Sequence, residues 1–234
     1  MAAFQTFGPD HLAVLAATAG TAGWLVASTA RVRRTSDARI VQWAAALLLG
    51  NEVVSWGVGL ATGRFGLPLQ LCDLAVLLMA WALLGGGRTV RELACLWGLA
   101  GSSQAILTPD LDAPFPSYPW IQFFLGHGWV VLGAVYLLVG GRLRLTAGSV
   151  GRVWLMSNGY LAAVGLVNWR LGTNFGYLAH KPAHPSLLDY LGPWPVYLLA
   201  MELIALVLFC LCLALSRVVE RRAERGLREA PRYG

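Results

Sequence analysis

The chain has 234 residues, of which 57% are hydrophobic and only 13% charged, with a mean hydropathy of +0.59. A soluble domain averages roughly 25% charged residues, so these side chains could not cover a water-soluble globule; disorder, collagen-like repeats and a disulfide scaffold are excluded by the same numbers. The net charge of +6 would raise nucleic acid as a partner in a soluble protein, but in a chain this apolar the cations describe topology, and no nucleic-acid partner is expected.

Seven apolar runs, most of about 18–22 residues, read in chain order as spanning helices: His11–Ala30, Ile40–Leu60, Leu67–Leu84, Leu93–Leu107, Trp120–Val139, Val153–Leu171 and Trp194–Leu215. The fold class expected is all-α, a polytopic seven-helix transmembrane bundle over residues 1–216 with a basic tail over 217–234. The connections after the first, third and fifth runs, together with the tail, hold 15 of the 18 cations; the other connections hold Arg64, Arg170 and Lys181. The positive-inside rule then places the N-terminus outside and the C-terminus in the cytoplasm of a multi-pass cell-membrane protein. Residues 1–10 carry no cation, so a cleavable signal peptide is not expected. No repeat suggests the inverted halves of a transporter. Two outer connections, 108–119 and 172–195, are rich in Pro, Gly and aromatics; the second is long enough to read as an ordered lid.

Ionisable groups at membrane depth are costly and usually face a cavity or a partner. At 1.5 Å per residue, Glu52 lies about 12 Å below the outer end of the second run, beside Asn51. Cys72 and Asp73 lie five or six residues into the third run, and His127 about 10 Å into the fifth with Gln122 above it. Gln104 and Asn168 sit near the outer ends of the fourth and sixth runs, and Glu202 eight residues into the seventh. The polar groups thus gather in the outer half of the bilayer, with the cytoplasmic half almost purely apolar. The expectation is one outward cavity lined by Glu52, Cys72, His127, Asn168 and Glu202 and covered by residues 172–195. Asn51, Gln70, Asp73, Gln104, Gln122 and Asn174 are its candidate supporting or substrate-binding residues.

A thiol becomes a strong nucleophile when a nearby imidazole takes its proton. Cys72 and His127 fall at similar depth on different helices; each also has a plain structural reading, as apolar filler and as a helix–helix hydrogen-bonding residue. Cys95, Cys210 and Cys212 read as filler. No cysteine falls in a loop and no metal-ligand spacing occurs, so neither a disulfide, a metal nor a cofactor is expected.

LPLQLCDLA (67–75), GLAGSSQAILTPDL (98–111), FFLGHG (123–128), LVNWRLGTNFGYL (166–178) and SLLDYLGPWPVYLLAMEL (186–203) together resemble the bacterial YwaF-type integral membrane family. That family is similar to the transmembrane protein 164 acyltransferases, which remodel ether phospholipids, and more distantly to the androgen-induced multipass lipid hydrolases. The resemblance implies a catalytic cysteine and histidine on separate membrane helices, at the positions of Cys72 and His127. It implies an acyltransferase that moves an acyl group from a phospholipid, through a thioester, to a lysophospholipid. With water as acceptor the same site is a lipid hydrolase. A proton-coupled transporter or binding protein using Glu52, His127 and Glu202 is the reading from another class.

Overall fold

The computed structural model describes residues 4–35, 38–63, 66–182 and 186–228. Among these residues every regular element is a helix. Helix α1 (Pro9–Ala27) starts with proline at its first position and Asp10 in its first turn, both favourable at a helix start. It is interrupted at Ser28 and followed by α2 (Thr29–Thr35) and α3 (Ala38–Ala61). Next comes α4 (Leu71–Leu83), then an uninterrupted helical run: α5 (Arg88–Trp97), a π turn at Gly98–Ser102 and α6 (Ser103–Leu107). Helix α7 (Tyr118–Val139) precedes α8 (Ala147–Leu171), which opens on a capping box of Thr146 with Ser149 and ends at the left-handed Gly172. Helix α9 (Val196–Arg228) closes the described chain.

Each of the seven apolar runs is occupied by helix, with shifted boundaries. Pro68 lacks an N–H and pushes Leu67 toward extended backbone, so α4 begins at Leu71 rather than Leu67. Cys72 therefore stands in a first helical turn instead of five or six residues inside a helix. The fourth run starts at Arg88, five residues early. Helix α9 continues through the basic stretch, which is helical to Arg228, with Val219 and Ala223 buried. Three helices, α3, α7 and the span Val196–Arg225 of α9, are long and apolar enough to cross a bilayer, and α4 is a shorter apolar helix. The lipid-facing character shows in the outer surface: Trp43, Val53 and Leu60 on α3, Leu155, Leu166 and Trp169 on α8, and Leu199 and Leu203 on α9 are all exposed.

Helix α7 is the central post. It packs against α1, α3, α4, α5, the π turn and α9. Glycines let it do so. A Cβ on Gly133 would stand 2.8 Å from the Met79 sulfur of α4, and one on Gly98 of the π turn would stand 3.0 Å from Val130 of α7. Leu96, Val130, Ala134 and Leu137 fill the resulting core with essentially no exposure.

Candidate active site

Cys72 is the second residue of α4, behind the N-cap Gln70. The residue is half-buried, and a helix N-terminus favours negative charge. Asp73, one residue on, accepts the Gln70 N–H at 3.3 Å and so closes the cap rather than orienting the sulfur. Cys72, Val76 and Met79 share one face of α4 by their four- and three-residue spacing. That face meets α7: a Cβ on Gly126 would lie 3.9 Å from Val76 and 3.0 Å from the Asn51 amide of α3. Helices α3, α4 and α7 therefore converge at Gly126, the residue before His127. Asn51 donates to the Gln122 carbonyl in a long 3.4 Å contact. Glu52, 4% exposed, lies close enough to Asp73 and Cys72 for its charge to be felt there.

His127 donates from Nδ1 to the Phe123 carbonyl one turn back, at 2.8 Å, and its ring lies 4.2 Å from that of Phe123. The bond fixes the tautomer, leaving Nε2 as the basic nitrogen. Nε2 is buried and has no hydrogen-bond partner. His11 makes the contrast. Its Nδ1 accepts the Phe7 N–H at 2.8 Å and its Nε2 donates to the Ile106 carbonyl at 2.7 Å, so both nitrogens are used in joining α1 to α6.

A cavity of about 640 Å³ lies alongside, between α5–α6, α8 and α9. Its wall is mostly apolar, with Leu71, Trp97, Leu161 and Phe209, and its polar groups include Gln104, Thr108, Asn158, Tyr160 and Glu202. Asn158 donates to Glu202 at 2.9 Å, and Ser157 accepts from the Trp97 indole at 2.9 Å. Tyr160 donates to the Leu69 carbonyl at 2.6 Å, tying α8 to the segment leading into Cys72.

The connection from Gly172 to Pro195 roofs this cavity with Leu178, Ser186, Leu188, Leu191 and Trp194. Residues 183–185 lie outside the described residues. Asn168 holds the roof's near end: its amide nitrogen donates to the Phe175 carbonyl, and its oxygen accepts from Thr173 Oγ1 and the Phe175 N–H, each at 2.9 Å. Asn174 folds the next turn by accepting the Ala179 and His180 N–H groups. The Gln70 side chain accepts the Gly176 N–H at 3.0 Å, linking the roof to the α4 start. Tyr177, at a positive φ of 55°, donates to Asp110 at 2.7 Å and takes the Tyr197 hydroxyl on its carbonyl. Burial, and then the bond to and charge of Asp110, push the Tyr177 phenol above its ordinary value.

The expected residues distribute over several neighbouring elements. Glu202 and Gln104 line the space, with Leu71. Cys72 lies about 100° round α4 from Leu71, on the face with Val76 that meets α7; Glu52 is buried beside Asn51 on α3, His127 stacks on Phe123 within α7, and Asn168 is spent on the roof. The near-apolar cytoplasmic half is corrected. Glu92, fully buried at the start of α5, accepts from Arg88 at 2.8 Å, Ser149 at 2.8 Å and Arg152 at 2.9 Å. Sequence reasoning passed over Glu92, His11, Ser157, Asn158 and Tyr160. Glu92 carried a readable signal in the i,i+4 spacing from Arg88. Among the described residues no group of three His, Cys, Asp or Glu gathers where it could hold a metal ion.

The model of the TMEM164 family matches residues 6–213. Neither a curated protein nor a solved structure matches the chain.

Proposed function

The chain belongs to the TMEM164 family, and from that premise we propose that it is an intramembrane acyltransferase in which Cys72 is the nucleophile and His127 the base. The observation that carries the reading is the buried, unpartnered Nε2 of His127, held in the basic tautomer by Phe123. His127 is next to Gly126, where the Cys72 face of α4 meets α7. The cavity beside Leu71 supplies an apolar berth of the size usual for ligand pockets, and a phospholipid acyl chain matches its lining.

In the reaction, Nε2 takes the thiol proton as sulfur attacks the ester carbonyl. The helix N-terminus favours the developing thiolate while Glu52 and Asp73 oppose it, so proton transfer and attack are coupled. Collapse of the tetrahedral intermediate breaks the ester C–O bond, and the imidazolium returns its proton to the departing lysophospholipid hydroxyl. A thioester remains on Cys72. The hydroxyl of a second lysophospholipid gives its proton to Nε2 and attacks the thioester, and the thiolate leaves and is reprotonated. Gln104 and Asn158 are the side-chain amides facing the cavity, and Asn158 already donates to Glu202 and the Trp154 carbonyl; Asn168, with its amide engaged in the roof, is not an oxyanion donor. The protein crosses the cell membrane seven times, with the roof on the outer side.

The test is acyl transfer from phosphatidylcholine to a labelled lysophospholipid by the purified chain in nanodiscs, with hydroxylamine trapping of the thioester. Transfer and a trappable acyl group, both lost in Cys72→Ala, are expected. Full retention in Cys72→Ala overturns the proposal in favour of a carrier using Glu52, His127 and Glu202. Release of free fatty acid without transfer converts the reading to a hydrolase.

A further inference from the structure

At the other end of α4 the molecule gathers arginine. A second cavity of about 400 Å³ is lined by Arg88, Arg91, Arg142, Leu143, Arg144 and Thr146, from the start of α5 and the α7–α8 connection. Arg88 pairs with Glu92 at 2.8 Å, and Arg144 with Glu220 at 2.7 Å and Glu224 at 3.7 Å. Arg142 lies 5.5 Å from the Tyr136 ring centroid. Arg91 donates from Nη1 to the Arg142 carbonyl at 3.1 Å, but its Nε is buried with no hydrogen-bond partner. An unsatisfied buried donor on a cation is costly. The neighbouring Nη2 of Arg33 is in the same state; this guanidinium sits 3.4 Å from where a Cβ on Gly141 would stand. Helix α5 starts behind Gly87 with no side chain capping it, so its first-turn N–H groups add to the positive field.

We propose that this cavity is a binding site for a phosphate group, with the Arg91 guanidinium as its inner donor and Arg88, Arg142 and Arg144 around the anion. The planar guanidinium fork matches phosphate oxygens, and four such groups line one cavity. The site is not the reaction centre: Cys72 opens α4 and Leu83 ends it, so Cys72 stands roughly 17 Å away along the helix. Two sources carry this chemistry, the headgroup of an anionic phospholipid in the adjacent leaflet and a soluble phosphate ester. Both have the same primary contact at Arg91, and the proposal does not depend on acyl transfer.

The experiment uses the full chain in phosphatidylcholine nanodiscs, titrated separately with phosphatidylglycerol, inorganic phosphate and glycerol 3-phosphate. Binding is read by native mass spectrometry and thermal shift. Wild type is expected to retain one phosphatidylglycerol, with affinity falling about tenfold or more in Arg91→Gln and recovering only in part in Arg91→Lys, which keeps the charge but not the planar fork. Arg221→Gln/Arg222→Gln, on the exposed face of α9, serves as the charge control. Stabilisation by the soluble phosphates alone supports the site with a soluble ligand. Equal binding by wild type and Arg91→Gln, or equal loss in the control, overturns it. Phenylglyoxal modification of the wild type reads the site without any variant. Protection of Arg91 by at least one of the probes is expected, and undiminished modification in all three arms overturns the proposal.

Discussion

The two nitrogens of the His127 imidazole divide its work. Nδ1 is committed to the Phe123 carbonyl and Nε2 is left buried without a partner. A structural histidine in this chain looks like His11, with both nitrogens used. His127→Gln keeps a polar side chain of similar size but removes the base, so acyl transfer should fall about 10²–10⁴-fold while thermal stability stays near wild type. The same base should govern thiol reactivity. A lipid-soluble maleimide should label Cys72 in the wild type and more slowly in His127→Ala. Cys210, exposed on α9, should label equally in both, which controls for access. Equal Cys72 labelling in the two proteins would show that the imidazole does not act on the sulfur.

At the scale of elements, the roof is organised by Asn168 and by the pairing of Tyr177 with Asp110. Asn168→Leu fits a buried helical position but removes three hydrogen bonds to residues 173–175. Lipid KM should rise about tenfold while intrinsic labelling of Cys72 is unchanged. Tyr177 adds a pH dependence. Because its phenol is raised in the folded protein, its contribution to roof closure is full below the ordinary tyrosine value of 10.0 and is lost as pH rises from there through the native value. Thermal melting between pH 8 and 11 should therefore fall more steeply in wild type than in Tyr177→Phe; parallel curves would refute the assignment. Aromatic and proline content made the described residues 172–182 and 186–195 legible as a cover. What they cover was not legible, because Asn168, Gln70 and Tyr197 hold the roof largely by binding its backbone groups, and a sequence does not show which carbonyl a side chain will find. Helix phase explains the rest: adjacent residues such as Leu71 and Cys72 share a depth but face different neighbours.

Across the whole molecule, hydropathy located the helical runs because burial in lipid demands long apolar segments. It passed over the Glu92 cluster because a carboxylate flanked by arginines reads as a solvated connection. Removing that carboxylate takes charge-assisted hydrogen bonds from the half-exposed Arg88 and Arg152 and leaves Ser149 with Thr146 alone, so Glu92→Ala should cost about 1–3 kcal/mol, read as a lowered Tm. Topology follows from the same end of the structure. Helix α9 has 33 residues, roughly 50 Å at 1.5 Å per residue, against a hydrocarbon core of about 30 Å. Its last turns must therefore project beyond the core. Arg144 pairs with Glu220 and Glu224 in those turns, so the α7–α8 connection and the end of α9 lie on one side of the membrane. The orientation proposed from the cation distribution puts that side in the cytoplasm. An alkaline phosphatase fused after Gly234 should be silent, because the enzyme matures only outside the cytoplasm, while the same reporter fused after Pro116, beyond the fourth run, should be active. The opposite pattern would invert the orientation, and activity at both positions would remove one crossing between them.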